Sequence, residues 1–454
     1  MAAHVFFAVV LLCAIPVQAE IQDYLEKMPP PKTIYLTPDI GSFPPLYEGD
    51  PGGSFGAWSF TMMSLAGLAA LDAKEQGGDS MVWVHSPGIK SYPIILADIV
   101  RHTGATTVPL STLEEMIALG VEKGWVKGYI LYRAEGSERG MYEKIDPDNP
   151  TYNNSANVAT NLAGHLGGII VEERAEPVFK ASGLECLLDV REKDERWCFD
   201  AHRELFTRKS LHLLDPKAPH MRDYAIATRS MCVFGVTPLV DAVLLWLEPN
   251  APTLGWNAGD EHTFVAQLSR HAHFTTASNW IMNLPVMSCP VAGTDVAWEQ
   301  LQVNRRLQVD PLLLDWPEDT HFTSFVLSDG DNVQWFIGNF INHPNGYWQA
   351  EHRSAFPFGW TMPVDHLSQM CPPLLSYLAR TASPNDQAIT FPSGYYYPDA
   401  YGSALTGDTD WYAERVHMFA ERTGRLGVRV LINIAEDWDG DGAMHGYQCF
   451  AQQV

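Results

Sequence analysis

The chain has 454 residues, of which 46% are hydrophobic and 11% aromatic, and its formal net charge is -24. This composition is typical of a folded globular protein and excludes disordered, collagen-like and coiled-coil chains. The excess of Asp and Glu over Lys and Arg disfavours nucleic acid phosphates and anionic lipid as partners, whereas 14 Trp and 17 Tyr offer flat amphipathic surfaces suited to neutral sugars.

Residues 1–19 contain no Lys, Arg, Asp or Glu, and an apolar run from Val5 to Ile15 is followed by small residues up to Ala19. This pattern is typical of a secretory signal peptide, so we expect a secreted or extracytoplasmic chain that begins near residue 20. An uncleaved anchor is the alternative, although the apolar run is shorter than the roughly 20 residues that cross a bilayer. We expect no membrane contact after signal cleavage.

Six cysteines remain after the signal segment, and an even number in an oxidising compartment permits disulfides. Their wide spacing argues against a structural zinc site. Phosphate-binding glycine loops of the common types are missing from the sequence. We therefore expect no cofactor and no metal.

Short apolar runs alternate with helical patterns in the first part of the chain. Residues 33–36, 81–85 and 128–132 are predicted strands, and residues 112–122 are a predicted helix. Strand, helix and strand at this spacing predict a parallel sheet with helical crossovers. We expect an N-terminal α/β layer domain over residues 20–235.

A second series of strands and helices begins near residue 237. Strands are predicted over 241–247, 322–328, 355–362, 388–391 and 428–434, helices over 261–271, 367–380 and 411–422, and a Pro/Gly loop over 249–260. These units predict a C-terminal (β/α) barrel-like domain over residues 236–454. Because a closed parallel barrel uses about eight strands, we expect this barrel to be irregular or incomplete.

Acidic and aromatic residues follow several of these predicted strands, at the end where active sites of parallel α/β folds lie. A glycosidase needs two carboxyls, about 5–5.5 Å apart if it retains configuration and about 6.5–9.5 Å apart if it inverts, with aromatic rings that stack on sugars. The predicted catalytic carboxyls are Asp329, Asp331, Glu436 and Asp437. Glu261 is predicted to bind substrate, with the second catalytic carboxyl as its alternative role. The predicted sugar platforms are Trp256, Trp360, Tyr395 and Tyr397.

The same residues are compatible with two other functions. An Asp-Gly-Asp-Asn turn also caps a helix, and the aromatic residues would then bind carbohydrate without turnover. Alternatively, Asp329 and Asp331 would hold a hard cation for metal-assisted hydrolysis. Two carboxyls around an open cleft favour glycoside hydrolysis, three or more converging oxygens favour a metal, and acids held in their own turns favour binding alone.

Motifs along almost the whole mature sequence match one known family. They are residues 328–335, Tyr347-Trp348, Arg353, 358–360 and 392–398, and upstream 128–132, 157–160, 222–224, Gly255-Trp256 with Glu261, and Asn283-Leu284. With these motifs the chain resembles the GxGYxYP family of glycoside hydrolases. Pro392 departs from the first Gly of the motif, and because Pro fixes φ near about -65°, that loop entry must differ.

The resemblance implies an N-terminal α/β domain followed by a C-terminal domain that acts on carbohydrate. The site that it implies consists of Asp329, Asp331, Asn332, Arg353, Trp360, Tyr395 and Tyr397. Asn332 and Arg353 would hydrogen-bond sugar hydroxyls or orient a carboxylate. We therefore predict a secreted hydrolase that cleaves a glycosidic bond in a poly- or oligosaccharide.

Overall fold

The structure is a computed structural model that describes residues 23–39, 43, 56–133, 154–289, 317, 319–321, 323–330, 332–343, 347–391, 394–428 and 430–453. The predicted signal peptide at 1–19, Asp331 and Pro392 lie outside the described residues. The statements below concern the described part of the chain.

The strands are short and alternate with helices along most of the chain. They are β1 Thr33–Leu36, β2 Ser80–Trp83, β3 Thr106–Pro109, β4 Gly128–Tyr132, β5 Gly168–Glu172, β6 Cys186–Asp189, β7 Leu211–Leu213, β8 Met231–Val233, β9 Pro252–Gly255, β10 Phe274–Ala277, β11 Val326–Leu327, β12 Phe358–Thr361 and β13 Asp386–Ile389. The helices are α1 Ala57–Gln76, α2 Tyr92–Thr103, α3 Leu113–Glu122, α4 Ser155–Leu166, α5 Glu176–Ala181, α6 Glu195–His202, α7 Arg222–Thr228, α8 Pro238–Trp246, α9 Glu261–Arg270, α10 Leu284–Met287, α11 Val333–Gly338, α12 Val364–Met370, α13 Pro372–Thr381, α14 Trp411–Arg425 and α15 Asp441–Gln453.

These strands form four sheets, with the orders β2-β1-β3, β5-β4-β6, β10-β9-β7-β8 and β11-β12-β13. Every pairing between the named strands is parallel. Two isolated bridges extend them: Thr390 pairs parallel with Leu431, and Tyr395 pairs antiparallel with Thr275 in β10. The predicted α/β class with parallel sheets is therefore confirmed.

A large hydrophobic core joins the sheets and helices. Helix α1 is apolar on all sides and buried over most of its length, as expected of a helix enclosed by other elements. The same core includes residues from Leu25 to Val428, so it extends through both halves of the chain. A smaller cluster forms around Phe274, Tyr412 and Phe450 beneath the last two helices.

A buried polar network holds the N-terminal half together. The Arg222 side chain is fully buried and stacks on the Phe60 ring, 4.5 Å from its centroid. Its guanidinium donates to Thr160 Oγ1 (2.6 Å), Asn157 Oδ1 (3.0 Å) and the carbonyls of Ala156 (3.3 Å), Asp215 (3.0 Å) and Ala218 (2.9 Å). Asn157 Nδ2 in turn donates to Glu195 Oε1 at 2.6 Å.

Several predicted elements differ from the observed ones. The strand predicted over 241–247 is wrong, because these residues lie in or just after helix α8. The loop predicted over 249–260 contains the buried strand β9. The helix predicted over 367–380 is divided between α12 and α13. Among the described residues of the strand predicted over 428–434, only Leu431 forms a bridge.

The four-stranded sheet also crosses the domain boundary predicted between residues 235 and 236. Strand β7 lies before that boundary and pairs with β9 after it, with Leu211 opposite Thr253 and Leu213 opposite Gly255. This sheet is therefore part of neither predicted domain alone.

Six cysteines are free thiols, namely Cys186, Cys198, Cys232, Cys289, Cys371 and Cys449. No described helix combines the length and the apolar character that crossing a bilayer requires.

Candidate active site

The candidate site lies where strands β9, β11 and β13 end. Trp256 directly follows β9, and helix α9 begins shortly afterwards at Glu261. The α9 N-cap is Asp260, whose carboxylate accepts hydrogen bonds from Thr263 N at 2.9 Å and Thr263 Oγ1 at 2.8 Å. Because this cap fixes the first turn of the helix, it also fixes the position of Glu261, the first helical residue.

The tyrosine-rich loop after β13 is held against β10 by backbone contacts. Tyr395 N donates to Thr275 O at 2.8 Å, and Thr275 N donates to Tyr395 O at 3.1 Å. Gly394 has φ of +97°, and a Cβ at this position would lie 2.5 Å from Thr275 O. Only glycine fits such a close approach with this backbone conformation. Tyr397 N donates to Ser269 Oγ at 2.8 Å, which attaches the loop to α9.

These elements enclose an open pocket of about 370 Å³, open solvent included. Its lining residues are Glu261, Val265, Phe391, Gly394, Tyr395, Tyr396, Tyr397, Asn433 and Ile434. Trp256 packs edge-on against Tyr395, with ring centroids 5.0 Å apart. The pocket therefore combines a carboxyl group with aromatic walls, as sugar-binding sites do.

Glu261 and Asp329 lie close enough for their charges to interact. Dehydration in the pocket raises the pKa of the Glu261 carboxyl above its ordinary value of 4.5, although the residue as a whole is exposed. The negative charge of Asp329 raises this pKa further. A carboxyl with a raised pKa beside a second carboxylate is the arrangement that divides acid and base roles between two acidic residues.

Tyr397 and Glu436 extend this acidic surface. Burial, then Glu261 and Glu436, raise the pKa of Tyr397 to about 12, so its hydroxyl keeps its proton at neutral pH. Glu436 Oε1 lies 2.8 Å from His262 Nε2. The His262 ring also packs against the Tyr397 ring, with centroids 5.6 Å apart. Glu436 is thus joined to the site through a histidine of helix α9.

The loop that carries Glu436 and Asp437 is held by a further acidic residue. Asp399 accepts hydrogen bonds from the backbone N–H of Glu436 at 3.2 Å and from that of Asp437 at 2.9 Å. Glu436 and Asp437 are both exposed, and neither is among the residues that line the pocket. Asp399 therefore sets the position of Glu436, whose carboxylate contacts His262.

The Asp-Gly-Asp-Asn turn combines a site residue with a structural one. Asp329 is exposed and has φ of +73°. Gly330 presses against β12, since a Cβ there would lie 2.0 Å from Thr361 O. Asn332 is the N-cap of α11 and its side chain accepts from Trp335 N at 3.4 Å. The structure thus gives Asn332 a capping role, while Asp331 lies outside the described residues.

Arg353 and Trp360 lie together in a different place. Arg353 Nη1 donates to Asp386 Oδ2 at 2.6 Å, and Trp360 Nε1 donates to Asp386 Oδ1 at 2.8 Å. Asp386 is the first residue of β13, whereas the tyrosines follow the opposite end of that strand. Trp360 is only 7% exposed. The structure does not bring these two predicted residues to the pocket.

Sequence reasoning missed three residues of this region, which are His262, Asp399 and Asn433. His262 adjoins Glu261 in the first turn of α9, and Asp399 directly follows the tyrosine motif at Pro398. Both positions were detectable as polar neighbours of predicted site residues. Asn433 lies within the strand predicted over 428–434, and only the folded structure places it in the pocket wall.

Comparison with known proteins gives three family matches and one similar solved structure. The models "GxGYxYP_N second domain", "GxGYxYP third domain" and "GxGYxYP putative glycoside hydrolase C-terminal domain" match residues 126–204, 207–289 and 319–447. A crystal structure of a protein from Bacteroides thetaiotaomicron, described as a putative hydrolase, is similar with a TM-score of 0.73 and 21% identity, over 96% of this chain and 77% of that chain. At this identity the likeness concerns the fold.

No curated protein sequence matches the chain significantly. The third-domain model contains Trp256, Glu261 and β10, whereas the C-terminal model contains Asp329, the three pocket tyrosines and Glu436. The pocket therefore lies at the junction of two units of one family. Since three of its models together match more than half of the residues, the chain belongs to the GxGYxYP family.

Proposed function

We propose that this protein hydrolyses a glycosidic bond, with Glu261 as general acid and Asp329 as the second carboxyl. The observation that carries the proposal is the Glu261 carboxyl, which lines a pocket walled by tyrosines and whose pKa is raised by dehydration and by the negative charge of Asp329. A general acid must hold its proton when substrate binds, and a raised pKa keeps it protonated to higher pH.

In this mechanism Glu261 donates its proton to the glycosidic oxygen as the bond to the leaving sugar breaks. Asp329 either attacks the anomeric carbon or activates a water molecule, depending on the separation of the two carboxyls in the substrate complex. Tyr395 and Tyr397 provide the faces on which sugar rings stack. The carboxylates of Asp329 and Glu436 repel anionic sugars, so the proposed substrate is a neutral poly- or oligosaccharide. The N-terminal pattern at residues 1–19 supports placing this activity outside the cytoplasm.

Leaving-group dependence tests the proposed roles. Purified protein is incubated with neutral polysaccharides, with release of reducing ends measured, and with aryl glycosides whose leaving groups need no proton. We expect Glu261→Gln to lower kcat on polysaccharide by about 10²- to 10⁴-fold, and by much less on the aryl glycoside. Asp329→Asn loses activity on both substrates. On the alkaline side the wild-type rate on polysaccharide falls as Glu261 loses its proton.

Asp260→Asn is the matched control, because it removes a neighbouring carboxylate while Asn caps a helix as well as Asp does. This variant is expected to keep wild-type rates. An equal loss on both substrate types in Glu261→Gln would remove Glu261 from the acid role. Saturable binding of a polysaccharide without release of reducing ends would instead favour the non-catalytic binding protein.

A further inference from the structure

A second group of reactive side chains lies between the last two helices, outside the pocket. Asp410 is the N-cap of α14, while His445 and Cys449 lie one turn apart on α15. Asp410 Oδ2 is 2.9 Å from His445 Nε2, and Cys449 Sγ is 3.5 Å from the same nitrogen. The three ligand atoms all lie within 4.8 Å of one another.

The geometry argues against a nucleophile, base and acid triad. In a triad the base uses one ring nitrogen for the nucleophile and the other for the orienting carboxylate. Here the Cys449 thiol and the Asp410 carboxylate both approach Nε2 of His445. One nitrogen cannot receive the thiol proton while it donates to the carboxylate. Three ligand atoms within 4.8 Å of one another are instead suited to holding a cation.

The separation of the nitrogen and the sulfur matches a tetrahedral zinc ion, whereas Asp410 Oδ2 and His445 Nε2, now 2.9 Å apart, must move about 0.4 Å further apart to share one. Zinc–nitrogen and zinc–sulfur bonds of about 2.0–2.1 Å and 2.3 Å, at a tetrahedral angle, separate the nitrogen and sulfur by about 3.5 Å. This is the separation of His445 Nε2 and Cys449 Sγ. Residues four apart on a helix lie on the same face, so α15 presents both ligands together without a change in backbone.

We propose that Asp410, His445 and Cys449 bind a divalent transition-metal ion of the zinc type, with solvent in the fourth position. The mixed oxygen, nitrogen and sulfur donors suit zinc, whereas calcium and magnesium prefer oxygen alone. The Asp410 and His445 side chains are 45% and 49% exposed, so an ion enters from solvent. Cys449 is 5% exposed and lies at the inner side of the site.

The bound ion would fasten α15 to α14 beside the candidate active site. On α15, Gly446 packs so closely that a Cβ there would lie 3.0 Å from Pro398 Cβ, and a Cβ at Gly442 would lie 2.8 Å from Asp399 Cα. Asp399 in turn holds the backbone of Glu436. The metal is therefore expected to stabilise α15 and Asp399, and through them the loop that carries Glu436. This inference does not depend on the proposed hydrolysis.

Cobalt is the probe, because Co²⁺ replaces zinc in such sites and bonding to a thiolate produces a near-ultraviolet charge-transfer band. The full chain is stripped with chelator and titrated with Co²⁺ and separately with Zn²⁺, while absorbance, metal content and Tm are followed. We expect one ion per chain, a thiolate band and a rise in Tm. Cys449→Ser is expected to lose the band, and His445→Gln to weaken binding by more than about tenfold.

Two variants keep this test decisive if Cys449→Ser folds poorly. Asp410→Asn preserves the helix cap but removes the anionic ligand, so it is expected to fold and to bind Co²⁺ more weakly. Cys186→Ser removes an exposed thiol of β6 and is expected to behave as wild type. Absence of the band in wild type, or full binding by Asp410→Asn and His445→Gln together, would overturn the proposal.

Discussion

The buried network around Arg222 and the pocket around Glu261 both contain residues of the family motifs, but their polar atoms have different surroundings. Every contact described for the Arg222 guanidinium is with protein atoms, in a fully buried position. In the pocket, Glu261 is opposed by the like charge of Asp329. A matched network stabilises the fold, whereas unbalanced charge beside solvent is available for chemistry.

A comparison of Glu195 with Glu261 shows the same difference between a buried and an accessible position. Burial raises the pKa of Glu195 to about 8, against the opposing effect of its hydrogen bonds from Asn157 and Phe234 N. Glu195 is 1% exposed, so substrate cannot reach it. The pKa of Glu261 is also raised, but this residue lines an open pocket. A raised pKa therefore identifies a functional carboxyl only in combination with access to solvent.

Replacement of Arg222 should produce the largest change in stability. Arg222→Met retains much of the side-chain volume but leaves five acceptors in the interior without their donor, so we expect the free energy of unfolding to fall by about 3–5 kcal/mol. Urea denaturation measures this change.

Arg229→Met is the control for that variant, because Arg229 makes a two-point ion pair with Glu75 near the surface. We expect a loss of at most about 1 kcal/mol for such a pair. Equal losses in the two variants would show that burial of the network does not distinguish the two arginines.

Replacement of Gly394 should give an intermediate effect that reaches the pocket. A methyl group in Gly394→Ala would lie 2.5 Å from Thr275 O, so the tyrosine loop must move, and we expect a loss of about 1–3 kcal/mol together with reduced turnover. Gly407→Ala is matched, since Gly407 also has a positive φ, of +117°, but open space around it. If Gly407→Ala had the same effect as Gly394→Ala, contact with β10 would not be the cause.

Replacement of Glu261 should give the smallest change in stability, with the opposite sign. The pKa of Glu261 is higher in the folded protein than in the unfolded chain, so the folded state binds the proton more tightly. The protein therefore loses stability as pH rises from the pKa of the unfolded chain through the pKa of the folded protein. Glu261→Gln removes this loss, so we expect a gain below about 1 kcal/mol at neutral pH and none in acid. Tm measured at both pH values tests the sign, and a lower Tm at neutral pH would contradict it.

The fold class could be predicted from sequence because strands buried on both faces and amphipathic helices carry clear periodic patterns. The predicted strands at 33–36 and 128–132 are confirmed as β1 and β4. The short apolar run at 241–247 fits a buried strand and a buried helix equally well. Pro238 at the first turn of α8 favours the helix, and this signal at the helix N-terminus predicts the observed element better than the apolar run does.

The candidate site was predicted in part. Placing acidic residues at strand ends identified Asp329, Glu436 and the tyrosine loop. The sequence predicts mainly substrate binding for Glu261, because β9 lies within the loop predicted over 249–260 and the position of Glu261 after a strand end is therefore not visible in the sequence. The residues Arg353 and Trp360 carry motif matches but contact Asp386, which only the folded structure shows. The spacing of His445 and Cys449 could be read from the sequence, but the third proposed metal ligand, Asp410, lies beside α15 only through packing of the folded chain.

The paired backbone hydrogen bonds between Thr275 and Tyr395 bear on how this protein can be recombined with its relatives. Exchange of the carboxyl-terminal unit alone would transplant Asp329 and the tyrosines, but would leave behind the strand on which they dock and the glutamate that they face. A chimera that keeps the proposed chemistry must therefore inherit α9 and β10 from the same parent as the tyrosine loop. Gene fusions with a junction between residues 289 and 319 are expected to fold with a mismatched pocket.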